Sequence, residues 1–192
     1  MRQKSFDLHI EGIGPVCFRS SPRARRLSIT VVPFQGVRVS VPIGMSLSKV
    51  EQSVRTRKTW IAKHLEQARK IEKQCQVLLR QVGTVDPVEA RESLVSRLHQ
   101  LAEKHGFSFK RVSIRRQRTR WGSCSASNSI SLNIKLALLP DELRDFILVH
   151  ELVHTKIKNH GRKFWDKLEE IIPRARMLDR QLKSYSGLLF LP

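Results

Sequence analysis

Residues 150–160 read His150-Glu151-Leu152-Val153-His154-Thr155-Lys156-Ile157-Lys158-Asn159-His160. Two histidines four residues apart, with a glutamate directly after the first, form an HExxH pattern. On a helix, positions four apart share a face one turn above the other, so His150 and His154 offer two imidazoles to one metal ion. Glu151 is displaced by one position and reaches a water carried by the ion rather than the ion itself. Catalytic zinc takes three protein ligands and keeps one position open. His160 is the third ligand if the helix ends near Lys158 and the chain turns back through Asn159-His160-Gly161. The spacing thus points to metal-dependent hydrolysis.

The surroundings support a helix. Pro140 suits a first helical position, and Asp141 and Glu142 suit the positive end of the helix dipole. Phe146, Val149, Val153 and Ile157 recur at helical spacing, with the two histidines inside or beside that apolar stripe. Upstream, Arg111–Arg115 reads as a strand, Gln117–Asn128 as a polar loop and Ser129–Leu136 as an alternating strand. This last strand is a candidate for pairing with an extended peptide at its edge, with Asn133 touching the peptide backbone. Downstream, helices are expected over about Lys163–Ile172 and Arg174–Ser184, broken at Pro173, before an apolar tail, Gly187–Pro192.

The first forty-five residues read as β-structure. Leu27–Val32 and Val37–Val41 alternate on either side of the turn Pro33-Phe34-Gln35-Gly36, which is a hairpin. Gly12-Ile13-Gly14-Pro15 lacks the third glycine and the following helix of a phosphate loop, so it is a tight turn. One long helix is expected over about Ser46–Gln81, capped by Ser46 or Ser48, with Trp60 as a packing anchor and Cys75 as a small buried hydrophobe. Gly83-Thr84-Val85-Asp86-Pro87 breaks the pattern and separates an N-terminal module, residues 1–83, from a catalytic module, residues 84–192. A helix over about Pro87–Lys104 opens the second module.

Composition narrows the possibilities. The chain has 192 residues, with 36 Lys and Arg against 17 Asp and Glu, a net charge of +19. That field favours polyanions, nucleic acid and nucleotides among them. Lys110, Arg111, Arg115, Arg116, Arg118 and Arg120 crowd into eleven residues. No run of eighteen apolar residues exists, and Met1–Asp7 lacks the apolar stretch of a secretory signal. Cys17, Cys75 and Cys124 are too few and too widely spaced for a cysteine metal site or a disulfide framework, so the protein is expected in the cytoplasm, with no membrane contact.

Several segments together carry a family resemblance. Arg120-Trp121-Gly122-Ser123-Cys124-Ser125, Ile130-Ser131-Leu132-Asn133, Pro140, Val149–His154, Asn159-His160 and Phe164-Trp165 resemble the YgjP-like (DUF45) metallopeptidase-domain family. Arg23–Ser28 and Trp60-Ile61 resemble its amino-terminal half. The resemblance implies an α+β fold with a zincin-like catalytic core, a small sheet plus the HExxH helix, preceded by an N-terminal β-hairpin and long helix. It implies kinship with SprT-like and WLM domains, His150, His154 and His160 as ligands of Zn2+, and Glu151 as general base. Metzincins place a glycine three residues after the second histidine. Here that residue is Ile157, so the turn to His160 is made differently.

The reading is therefore a zinc-dependent metallohydrolase, foremost a metallopeptidase with a basic surface acting on a peptide or protein. Arg118 and Arg120 are candidates to bind substrate and steady an oxyanion. Packing is the first expectation for Trp121, and burial for Cys124. A metal-dependent nucleotide pyrophosphatase is the alternative suggested by the arginines. A non-catalytic nucleic-acid-binding module with structural zinc is another, although such a site has no use for Glu151.

Overall fold

The structure is a computed structural model that describes residues 5–82 and 86–191. It is α+β, with two small sheets and helices. The chain divides into two compact units, Met1–Gln76 with Phe190–Pro192, and Val77–Leu189. The division falls within a helix. The expected break at residues 83–85 lies outside the described residues. No described helix is long and apolar enough to cross a membrane.

The first unit is built on a four-stranded sheet of β1 (Ser5–Ile10), β2 (Gly14–Ser21), β3 (Ser28–Val32) and β4 (Gly36–Pro42), ordered β1-β2-β4-β3. The expected hairpin is present as β3 and β4, joined through a turn in which Phe34 takes φ 61°. A second hairpin, β1 and β2, turns through Gly12 and Gly14, both at positive φ where a side chain is strained. The two hairpins meet in parallel along β2 and β4. Alternation on β4 sends Val37, Val39 and Val41 inward, where they join Val16, Phe18, Val50, Val54 and Ile61 in one core.

The expected long helix is two helices, α1 (Leu47–Arg55) and α2 (Lys58–Val82), interrupted at Thr56-Arg57. Ser46 occupies the cap position of α1 without a side-chain bond. Trp60 is 43% exposed and stacks on His64, so it is not the packing anchor expected of it; Ile61 beside it is the buried residue. Cys75 is buried, as its place on the apolar stripe implies.

The second unit opens with α3 (Pro87–Lys104), followed by β5 (Arg111–Arg115), β6 (Gly122–Cys124) and β7 (Ser129–Asn133). The polar loop thus contains a strand too short to show a period of two. Sheet order is β5-β7-β6, with β5 parallel and β6 antiparallel to β7. β7 is consequently central, and peptide pairing along its edge is ruled out; β5 and β6 hold the edges. β7 also stops at Asn133, after which Ile134–Leu138 form a 3-10 turn.

α4 (Asp141–Val153) carries the HExxH pattern. It is buried almost all round, with Leu143, Phe146, Ile147, Leu148, Val149, Leu152 and Val153 in the core, as expected of a helix apolar on several faces. It packs against α3, β6, α5 (Arg162–Ile171) and α6 (Ala175–Leu182). Arg97 on α3 grips Asp145 on α4 through two hydrogen bonds, 3.0 and 2.6 Å, which sets the register of the two helices. The apolar tail forms a 3-10 stretch, Lys183–Phe190, with Leu188 and Leu189 buried.

Asp86 caps α3 by accepting from the amides of Val88, at 2.7 Å, and Glu89, at 3.1 Å, with Pro87 in the first turn. Replacing Asp86 by Ala should therefore destabilise the chain by about 1 kcal/mol in denaturant unfolding. An unchanged midpoint would mean that solvent caps the helix equally well.

Candidate metal centre

α4 places His150 on its last turn, and His154 is the residue that ends the helix. The helix therefore stops earlier than the expected limit near Lys158. The cause is local: the Thr155 hydroxyl donates to the Leu152 carbonyl at 2.7 Å, and the amides of Lys156 and Ile157 both close on Val153. The chain then leaves the helix axis soon enough for His160 to fold back over His150 and His154. Asn159 steadies that return by accepting from the Gly161 amide at 3.2 Å.

The three Nε2 atoms converge. His154 stands 3.1 Å from His150 and 3.0 Å from His160, and His160 stands 3.1 Å from His150. Nitrogens bound to one zinc at ~2.0–2.1 Å in tetrahedral geometry are roughly 3.3 Å apart. Among the described residues this is the cluster able to hold a metal ion. The Nδ1 of His154 donates to the Ile157 carbonyl at 2.9 Å, so its Nε2 carries the lone pair. Burial, together with the charges of His154 and His160, pushes His150 down to about 3, which keeps its imidazole neutral and free to act as a ligand. His154 is also pushed down, mainly by burial.

Phe164, the first apolar residue of α5, forms the floor beneath all three rings. Its centroid is 4.8 Å from His150, 4.5 Å from His154 and 4.8 Å from His160, and it is fully buried. From above, Lys158 ties the His154–His160 segment to the β6–β7 turn. Its Nζ donates to Asn128 Oδ1 at 2.6 Å and to the Ser125 carbonyl at 2.9 Å. His160 is exposed, so the cluster opens to solvent on that side.

Glu151 is 5% exposed, and its Oε2 has no hydrogen-bond partner in the protein. A buried carboxylate oxygen left bare is costly unless something supplies a charge or a donor. Burial raises this carboxyl to about 8, with Arg120 pulling the other way. A cation on the three imidazoles would favour the ionised form further. Three convergent imidazole nitrogens beside one unpartnered carboxylate are what a divalent ion fits.

Glu151 has room only because residue 122 is glycine. A Cβ there would lie 2.6 Å from Glu151 Oε1, 2.8 Å from Cγ and 2.9 Å from Cδ. In the sequence, Gly122 belongs to the Arg120–Ser125 segment that carries the family resemblance and has no role of its own. The signal was a glycine in a short polar stretch, and only the packing of β6 on α4 reveals what it is for.

The remaining candidates separate. Arg118 and Arg120 line a polar groove, and Arg120 is within electrostatic reach of Glu151. Asn133 is fully buried, and its expected contact with substrate is overturned. Its amide donates to the carbonyls of Gln117 and Arg120 at 2.8 and 2.9 Å, and its oxygen accepts from Lys135. It is a clamp for the loop that leads into β6. Trp121 is buried beside it and packs as expected. Cys124 is half-buried, with burial raising its thiol, and Lys158 Nζ lies 3.8 Å from it.

A family model described as YgjP-like, metallopeptidase domain, matches residues 25–84 and 84–185. Among solved structures, the metallopeptidase zymogen of Pyrococcus abyssi abylysin is similar to the chain at 24% identity. The match covers 48% of this chain and 93% of that one, with a TM-score of 0.44. No curated protein matches the chain.

Gly122→Ala should destabilise the chain by about 1–3 kcal/mol through overpacking against Glu151. The double variant Gly122→Ala/Glu151→Ala should recover most of that loss, because the atoms in conflict are gone. A denaturant double-mutant cycle that proves additive would show that the contact is not where the strain lies.

Proposed function

Because the chain belongs to the YgjP-like metallopeptidase-domain family, we propose that it is a zinc-dependent peptidase, with His150, His154 and His160 as ligands and Glu151 as general base. The observation that carries this reading is the triangle of Nε2 atoms, 3.0–3.1 Å on each side, with a bare Glu151 oxygen beside it. Zinc is favoured over magnesium or calcium because the donors are neutral imidazole nitrogens rather than oxygens.

When bound, the ion supplies Lewis acidity, polarising a carbonyl oxygen and acidifying water. The chain does the rest. Glu151 accepts a proton from the attacking water and passes it to the leaving amide nitrogen. Gly122 keeps the carboxylate against the β6 backbone, where no side chain displaces it. Arg120 opposes part of the burial that raises Glu151, a cation on the histidines would favour the ionised form further, and Arg120 is a candidate to steady an oxyanion. β6 is an edge strand touching α4, so an extended peptide pairing along it would lie beside Glu151.

Residues 84–192 act here as the catalytic module and residues 1–83 as an appended one. The cytoplasm is the compartment we assign, supported by the free thiols of Cys17, Cys75 and Cys124. The nucleotide alternative loses ground. Arg111 and Arg115 project from the sheet face opposite the one that carries Gly122, and so do not clamp phosphates at the histidines.

Purified protein should bind about one zinc per chain, and His150→Ala should lose it. Glu151→Gln should keep the zinc while cleavage of a denatured protein substrate falls by roughly 10²–10⁴-fold. Full zinc retention by His150→Ala would remove the ligand assignment. Undiminished turnover by Glu151→Gln, or hydrolysis confined to nucleoside triphosphates, would remove the peptidase.

A further inference from the structure

The sheet of the second unit has two unlike faces. Val112, Ile114, Ile130 and Leu132 alternate toward the core beneath α4. Ser113, Ser131 and Ser123 alternate to the other side, and the register sets them opposite one another as a row of hydroxyls across all three strands. Arg111, paired with Ser129, and Arg115, paired with Asn133, bracket that row at the two ends of β5. The loop before β6 adds Arg118 and Arg120. Together they line a groove of about 780 Å³.

Among the described residues, none that lines this groove is acidic or aromatic. The bias runs through the segment: no Asp or Glu occurs between Glu103 and Asp141, a stretch that holds eight Lys and Arg. A patch meant only for solubility intersperses both signs. Here cations and the hydroxyls of Ser113 and Ser123 converge on one concave surface, while the Ser131 Oγ between them is buried beneath it.

We propose that this groove binds the phosphate backbone of nucleic acid. Arginine forks and serine hydroxyls are the groups that contact phosphate oxygens without reading bases. Arg111 and Arg115 lie roughly 13 Å apart along β5, a span that suits a polymer of phosphates better than one phosphate group. The lack of aromatic side chains leaves unpaired bases nothing to stack on, which favours a duplex over a single strand, and contacts confined to phosphates carry no sequence information. An acidic peptide is the weaker occupant, because carboxylates on flexible side chains do not present the fixed array that a nucleic-acid backbone does. Arg111, Ser113 and Arg115 lie on the sheet face away from Glu151, whereas Arg120 reaches both the groove and Glu151, so the substitutions that test the groove are made on β5, outside the peptidase machinery.

The test is fluorescence anisotropy with the full chain and two labelled 20-base-pair DNA duplexes of unrelated sequence, from 50 to 300 mM salt. Both duplexes should bind equally, with log K falling against log salt at a slope of about −3 to −4, as four arginine–phosphate contacts require. Arg111→Ser/Arg115→Ser alters two exposed side chains of an edge strand outside the catalytic machinery. It should weaken binding at least tenfold and reduce the slope by about 2, with circular dichroism and zinc content unchanged. The control Arg91→Ser/Arg180→Ser removes the same charge from two helices and should stay within twofold of the unaltered chain.

The proposal is overturned by any of four results: no duplex binding at 50 mM salt, equal losses in the groove and control variants, strong preference for one duplex, or polyglutamate displacing the duplex at matched charge concentration.

Discussion

Three imidazole nitrogens held within about 3 Å of one another are the constraint around which the second unit is arranged. Three imidazoles brought so close need fixed supports, and the surrounding structure supplies them. Phe164 does so from below, with ring contacts to all three histidines. The Ile157 carbonyl holds the tautomer of His154 from the side. Lys158 holds the returning chain by tying it to the β6–β7 turn. Each support comes from a different element, so the site is a property of the whole unit rather than of α4.

β6 has an importance out of proportion to its three residues. Its first residue faces α4 and, by lacking a side chain, leaves space for the Glu151 carboxylate. Its second faces the other way and takes its place in the serine row. Strand alternation thus assigns one face of the sheet to the proposed chemistry at the metal and the other to the proposed binding of polyanions. Asn133 and Trp121 are buried at the junction and hold the arginine-bearing loop in position. That explains why a polar residue in a strand, which looked like a substrate contact, is spent on structure.

Much of this was legible in the sequence where a pattern had length. α3 runs over Pro87–Lys104 as its apolar spacing and proline suggest, and β5 and the β3–β4 hairpin follow their alternation. Short or interrupted elements were not legible. Three residues of β6 show no period. The break at Thr56-Arg57 sits in a stretch whose apolar spacing continues across it. The early end of α4 arises from Thr155 and the closing amides after Val153, which leave no mark on hydrophobic periodicity.

By itself, then, the order of residues determined that two histidines share a helical face with a glutamate beside them, that a third histidine follows within reach, and that cations crowd one short segment. Local spacing suffices for these because helix and strand periods are properties of the backbone alone. Only the tertiary structure decided that the third imidazole closes on the other two, that Gly122 makes room for the carboxylate, that β7 is central rather than an edge, and that the arginines gather into one groove. These depend on which elements pack together, and contacts between distant parts of a chain have no signature in the spacing of neighbours.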